Sequence, residues 1–185
     1  MKLGKKKFQK YFNLRNILIF TILLVISFFL GDYVKAILCT ALFVPLNIFT
    51  TRIGKFVPHV TPETVTITAI FMSYEFGWRI GVFFGLAVGG FSYIKNSLIN
   101  LNYITVVLLS ALCAVIVNIL KGMVDFFPAF AITIALRNAI ALPIYMFVIF
   151  PNPPENIMHQ SFHTFLNILV YTPVMSALHQ LLSNF

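Results

Sequence analysis

A single basic side chain in the middle of a long apolar run has the most distinctive chemistry in this sequence. Arg137 lies near the centre of the run 126–150, where burying a cation costs at least about 2.5–3.5 kcal/mol on membrane-insertion scales. Asn138 follows it directly, and Thr133 lies one turn earlier on the same helical face. We expect this guanidinium to point into the protein, because lipid offers it no partner.

Two interpretations of Arg137 remain open at this stage. The first is a structural pair with a carboxylate, for which the candidates are Glu63, Glu75 and Asp125. The second is a polar pocket in which the guanidinium counters an anionic group of a ligand. Carbonyl groups at a helix end are a further possible partner. Only the positions of the helices in space distinguish these alternatives.

Three more polar side chains within apolar runs extend the predicted site. Asn118 and Asn167 are expected to bond between helices, and His163 lies four residues before Asn167, on the same helical face. His159 and His163 have a spacing that could share a metal, but a closed zinc site needs four ligands and no third lies nearby. We therefore predict no metal site. The predicted substrate-binding residues are Arg137, Asn138, Asn118, His163 and Asn167.

Small residues recur every four positions in two places. The first ladder comprises Gly77, Gly81, Gly85 and Gly89, and the second comprises Ala131, Ala135 and Ala139. Such spacing clears one face of a helix so that another backbone can come close. The ladders are predicted to pack helices within the bundle or to meet a partner helix, and the spacing alone does not separate the two.

The sequence lacks the common catalytic patterns. It contains no Walker loop, no Gly-x-Ser-x-Gly elbow and no His-Glu-x-x-His pair. Its five acidic residues are scattered singly, whereas a metal-dependent lipid synthase needs clustered carboxylates. The sequence therefore predicts a protein that is not an enzyme and has no cofactor.

Composition places these residues in a membrane protein. Of 185 residues, 59% are hydrophobic and 10% are charged, against about 25% charged in a soluble domain. The net charge of +8 does not indicate nucleic acid, because six of the 13 Lys and Arg residues lie in positions 1–15, beside the first apolar run. This pattern predicts a basic cytoplasmic tail over 1–15, facing anionic lipid, and a single transmembrane domain over 16–183.

Apolar runs predict an all-α, polytopic helical bundle with six to seven transmembrane helices. A perpendicular crossing needs about 20 residues, so the third and fourth runs are short. These two are either thin helices joined at Glu75–Arg79 or one re-entrant pair. Glu75 and Arg79 have the spacing of a helical ion pair, but with Trp78 and Tyr74 they are interpreted mainly as an interfacial belt. Pro151, Pro153 and Pro154 predict a loop before the last helix. The seven runs are 16–31, 33–50, 62–76, 78–94, 102–121, 126–150 and 161–183.

The distribution of Lys and Arg predicts the orientation. With a cytoplasmic amino terminus and seven crossings, the inner segments carry nine basic residues and the outer ones three, as the positive-inside rule requires. The carboxyl terminus then lies outside. Composition suits a multi-pass protein of a prokaryotic plasma membrane. Thr61, Pro62 and Glu63 form the predicted start of the third helix, since Thr caps, Pro suits the first turn and Glu favours the positive end of the dipole.

The glycine-rich stretch has a recognisable pattern, which comprises Phe76, Gly77, Trp78, Arg79, Ile80 and Gly81, followed by Gly85 and Gly89. With this pattern the chain resembles the S-components of energy-coupling-factor (ECF) vitamin transporters and the related MreD cell-shape proteins, over about residues 33–183. The resemblance implies a compact helical bundle. One departure is that the first helix carries Ala36 and Ala41, five apart, where S-components often carry Ala-x-x-x-Ala for docking.

Two functional hypotheses follow from this resemblance. In the first, the chain is the substrate-binding subunit of an ECF-type transporter, binds a small molecule and docks to a transmembrane coupling subunit with ATPases. In the second, it is an MreD-like scaffold that assembles with cell-envelope proteins. No motif favours a channel or a lipid-handling enzyme.

Overall fold

A computed structural model describes residues 14–56, 63–149 and 152–184. Within these ranges every regular element is a helix, which confirms the all-α prediction for the described chain. Consecutive α-helical and π-helical stretches run on without a break in three of the helices. The helices are α1 (Leu14–Phe56), α2 (Thr64–Phe76), α3 (78–95), α4 (Leu101–Leu120), α5 (Phe126–Ile149) and α6 (153–183).

Four helical stretches are long and apolar enough to cross a membrane. They are Gly31–Ile53, Leu101–Leu120, Phe126–Ile149 and Pro154–Ser183. The distribution of side chains agrees with a lipid environment, since Phe147 is 82% exposed whereas Arg137 is 1% exposed. Water would penalise this arrangement, because soluble proteins bury large apolar side chains and keep charges outside. The fold is therefore consistent with a multi-pass membrane protein.

The chain forms two compact units, Met1–Leu38 and Cys39–Phe185. In the first, the described part is the beginning of α1, in which Gly31 has the non-helical angles φ 22 and ψ −92. This residue ends the first apolar run of the sequence. Most of the predicted basic tail, and Thr61 and Pro62, lie outside the described residues. All contacts below belong to the second unit.

Helix α2 is the core of the second unit. Its residues from Thr64 to Tyr74 are all buried, so other helices surround it. Hydroxyl groups supply the polar contacts: Oγ1 of Thr66 lies 2.9 Å from Oγ of Ser110, and Nδ2 of Asn47 donates to Oγ1 of Thr68 at 3.0 Å. Such interhelical bonds are typical of helices that pack without water.

Helices α2 and α3 form a hairpin with a tight internal register. Gly77 turns the chain at φ 94, a conformation that favours glycine. A Cβ atom at Gly81 would collide with Ser73, and one at Gly85 would lie 3.3 Å from Cβ of Ala69. Gly89 meets Val65 in the same way, at 2.6 Å from Cγ1. These three glycines therefore pack inside the bundle. Because a hairpin returns to its starting side, later helices keep their orientation whether or not it crosses fully.

The alanine ladder, unlike the glycines, lies mainly on the exposed face of its helix. Ala135 and Ala139 are exposed on α5 and Ala131 is half-buried. The other face of α5 carries the buried side chains, including Ala129 and Arg137. The alanines are thus open to lipid or to a partner helix, and their role as a partner interface stays a prediction.

The predicted loop before the last helix is wrong in part. Helix α6 begins at Pro153, eight residues before the predicted start at position 161. Proline suits the first turn of a helix, where its missing N–H has no intrahelical partner to lose. The correction places Asn156, His159 and Gln160 on a helix that packs against α5.

Candidate functional site

Arg137 is buried and paired. Its Nη2 donates to Oε1 of Glu63 at 2.6 Å, and its Nη1 donates to Oδ1 of Asn138 at 2.7 Å and to Oε1 of Gln160 at 3.0 Å. Among the candidate carboxylates, the partner is therefore Glu63. The pair offsets much of the cost of removing both charges from water, and it joins α2, α5 and α6.

The antiparallel register of α2 and α5 brings these two residues together. The rings of Tyr74 and Phe126 lie 4.8 Å apart, and Glu63 meets Arg137. Tyr74 lies 11 positions after Glu63 on α2, and Arg137 lies 11 positions after Phe126 on α5. The two contacts are therefore the same distance apart on both helices, about 16 Å. Because α5 runs on to Ile149, α2 covers only its first half. The amino terminus of α2 thus lies halfway along α5, in the interior.

The beginning of a helix at this depth has an electrostatic consequence. Glu63 is the N-cap residue of α2, and the positive end of the helix dipole favours its carboxylate. Discontinuous or short helices that end inside a bundle form the solute sites of many transporters. The geometry therefore places a carboxylate, a guanidinium and a helix end at one point in the protein.

Helix α6 turns a polar face toward this point. Its buried side chains Asn156, Gln160, His163 and Asn167 follow one face, whereas Phe165 and other apolar side chains are exposed. This is the reverse of an amphipathic helix in water. Thr164 adjoins the same face and accepts from Nδ2 of Asn138 at 2.5 Å. The structure thus sets Arg137 and Asn138 of α5 against the buried polar face of α6, and His163 and Asn167 belong to that face.

Several polar atoms of this interior have no hydrogen-bond partner among the described residues. They include Oε2 of Glu63, Nε of Arg137, both ring nitrogens of His163 and Oδ1 of Asn167. Buried polar atoms in native proteins are almost always bonded, and an unbonded one costs about 1–3 kcal/mol. The unbonded atoms of the Arg137–Glu63 pair and of the buried face of α6 are therefore a feature that needs a functional explanation.

The two histidines of α6 contact each other without a third ligand of the His, Cys, Asp or Glu type in the described part of the chain. The rings of His159 and His163 are 4.2 Å apart in an edge-on arrangement. Across residues 14–56, 63–149 and 152–184, no three His, Cys, Asp or Glu side chains are grouped so as to hold a metal ion.

Asn118 lies away from the cluster. It is one turn beyond Ala114, whose carbonyl accepts from the hydroxyl of Ser73. Ser73 lies near Glu75, at the carboxyl end of α2. Glu63 is at the amino end, 12 positions or about 18 Å of helix away from Glu75. Asn118 therefore belongs to the other end of the bundle. Its depth could not be read from its residue type.

That other end carries a second polar contact. Nδ1 of His179 lies 2.6 Å from Oε1 of Glu75, and its ring stacks on Phe126 at 4.7 Å. The helical ion pair that the spacing of Glu75 and Arg79 would favour is not formed between these two described residues. Gly77 ends α2 between the two residues, so they do not share a helix, and Arg79 instead lies over the ring of Trp78 at 5.6 Å.

The sequence analysis did not single out Gln160 and Thr164 as parts of the site. It also did not select Glu63 from the three candidate carboxylates. The signal was present as the polar spacing Asn156, Gln160, His163 and Asn167. It was missed because the prolines were interpreted as a loop.

Comparisons with protein-family models, curated proteins and solved structures found no match. The function is accordingly argued from the chemistry of the cluster.

Proposed function

We propose that this chain is the solute-binding subunit of a multi-component, ECF-type membrane transporter. It binds a small polar molecule between α2, α5 and α6, and it has no ATPase activity of its own. The observation that supports this most is the state of His163, which is 2% exposed and has no hydrogen-bond partner on either ring nitrogen in the described chain.

A purely structural histidine would be expected to bond through at least one nitrogen. An unbonded ring beside an ion pair instead suits a group that waits for a ligand. Transporter sites commonly lie near the bilayer midplane, at the ends of discontinuous helices, and the amino end of α2 lies beside Arg137, in the middle of α5. In this proposal Arg137, His163 and Asn167 contact the solute, while Asn138 is positioned by Thr164.

The transporter also requires partners. The chain carries no phosphate-binding loop, so energy must come from a coupling subunit with ATPases. The exposed alanines of α5, Ala135 and Ala139, form a face on which a partner helix could pack closely.

The experiment is an affinity purification of the full chain from membranes in mild detergent, followed by heat release of bound small molecules. The wild type should yield one small molecule and co-purify with an ATPase subunit. His163→Phe, which keeps a planar ring but removes both nitrogens, should lose the molecule. His179→Phe, at the other end of the bundle, is the control and should retain it. A wild type that releases no small molecule contradicts the proposal.

One observation favours a second function, an MreD-like scaffold. The bonds of Arg137 to Glu63, Asn138 and Gln160 already join three helices without a ligand. The scaffold predicts co-purification with cell-envelope proteins and no small molecule. A stable complex with a transporter ATPase would count against it.

A further inference from the structure

We infer that the solute is net neutral and presents a hydrogen-bond donor beside an acceptor, as the edge of an amide or ureide does, to Glu63 and Arg137. The inference rests on the proposed function and specifies the chemical class of its ligand. It replaces the expectation from the sequence that Arg137 counters an anionic group.

Charge is the first reason. The formal charges of Glu63 and Arg137 cancel, and their atoms are in contact at 2.6 Å. An anionic solute would lie beside the Glu63 carboxylate, and a cationic one would lie beside the Arg137 guanidinium. In a site this buried, neither repulsion is screened by water. A neutral solute meets neither penalty.

The geometry of the pair is the second reason. Nε and Nη2 of an arginine form a planar fork whose parallel N–H groups match both oxygens of a carboxylate. Here Nη2 of Arg137 donates to Oε1 of Glu63, while Nε and Oε2 are unpartnered among the described residues. Half of the bidentate pair is thus made. One donor and one acceptor of the same ion pair therefore remain without a partner among the described residues.

A ligand edge with complementary groups completes both. Its acceptor would take the Nε–H of Arg137, and its donor would bond Oε2 of Glu63. Amides and ureides carry such adjacent groups, whereas a carboxylate offers only acceptors and an ammonium only donors. His163, when neutral, supplies one further donor and one further acceptor.

Three probes of nearly the same shape separate the charge classes. Benzamide is neutral with a donor and an acceptor, benzoate is an anion, and benzamidine is a cation. Thermal unfolding of the purified full chain in detergent should be shifted upward by benzamide at a concentration about tenfold below that needed for the other two. Glu63→Gln leaves Arg137 uncompensated, so its ranking should change to favour benzoate. Glu75→Gln, the control, should keep the wild-type ranking.

The inference is overturned if wild type ranks benzoate or benzamidine first, or responds to none of the three. This ranking needs no variant and remains decisive if Glu63→Gln fails to fold. The charge of the molecule released on purification is an independent readout. A released molecule with a net charge at pH 7 would overturn the inference while leaving solute binding intact, whereas release of nothing would overturn the proposed function itself.

Discussion

Arg137 and Glu63 are 74 positions apart in the chain and bonded at 2.6 Å. The contact joins the middle of α5 to the residue before α2, where the side chain of Arg137 is 1% exposed and that of Glu63 is 11% exposed. It follows from the antiparallel packing of the two helices. The contact of Tyr74 with Phe126 sets the same register at the other end of α2. The stability of the bundle and the chemistry of its polar interior therefore depend on the same pair.

Removal of one charge from this pair should be costly. Arg137→Met leaves the Glu63 carboxylate buried and unpaired, so the free energy of unfolding should fall by about 3–5 kcal/mol. The double variant Arg137→Met with Glu63→Leu removes both charges and should recover most of the loss. Denaturant unfolding in detergent measures both. Equal stability of the single and double variants would show that the pair is not coupled.

Replacement of His163 should stabilise the ligand-free protein. His163→Phe removes two buried nitrogens that lack partners among the described residues, so the free energy of unfolding of the ligand-free protein should rise by about 1–2 kcal/mol. The matched change His179→Phe removes the bond to Glu75 and should destabilise by about 1–2 kcal/mol. Thermal unfolding of ligand-free protein compares them. Destabilisation by His163→Phe would indicate that the ring is bonded in the native state.

The glycine ladder offers a test of the hairpin register. Gly81→Ala places a Cβ against the backbone and side chain of Ser73, and overpacking of this kind costs about 1–3 kcal/mol. At Gly90 the added Cβ meets nothing within 4 Å, so Gly90→Ala should be neutral or stabilising by up to about 1 kcal/mol. Their unfolding midpoints should therefore move in different directions. A shared direction would contradict the register.

The two faces of α5 should respond differently to the same substitution. Ala135 is exposed and Ala141 is 0% exposed. Ala135→Leu should therefore change the free energy of unfolding by less than about 0.5 kcal/mol, while Ala141→Leu should lower it by about 1–3 kcal/mol. If the alanine ladder meets a partner helix, Ala135→Leu should also reduce recovery of that partner. A large loss of stability in Ala135→Leu would place this face inside the bundle.

Local features of this structure were accessible from the sequence because they depend on nearby residues. The junction of α2 and α3 follows from the break between the apolar runs 62–76 and 78–94. Gly77 is a correction to the predicted ladder, because it forms the turn between the two helices and packs against nothing within 4 Å of an added Cβ. The start of α6 was not accessible, since Pro153 and Pro154 suit both a loop and a first helical turn. The polar face that includes Gln160 was lost with it.

Long-range pairing was harder to predict. Glu63, Glu75 and Asp125 were equal candidates for Arg137, because only the register between α2 and α5 selects one. The prediction that Asn118 belongs to the site differs from the structure for a related reason. Its position in an apolar run shows that it lies within a helix, but not at which end of the bundle. Residue type shows which groups need partners. The packing of distant segments decides which partners they receive.

Rebinding of the released small molecule tests the central claim most directly. The molecule is returned to stripped protein and its binding is followed by isothermal titration calorimetry, with His163→Phe and His179→Phe in parallel. Wild type and His179→Phe should bind one equivalent, and His163→Phe should bind none or at least about tenfold more weakly. Equal binding by all three proteins would contradict a solute site at the Arg137–Glu63 cluster.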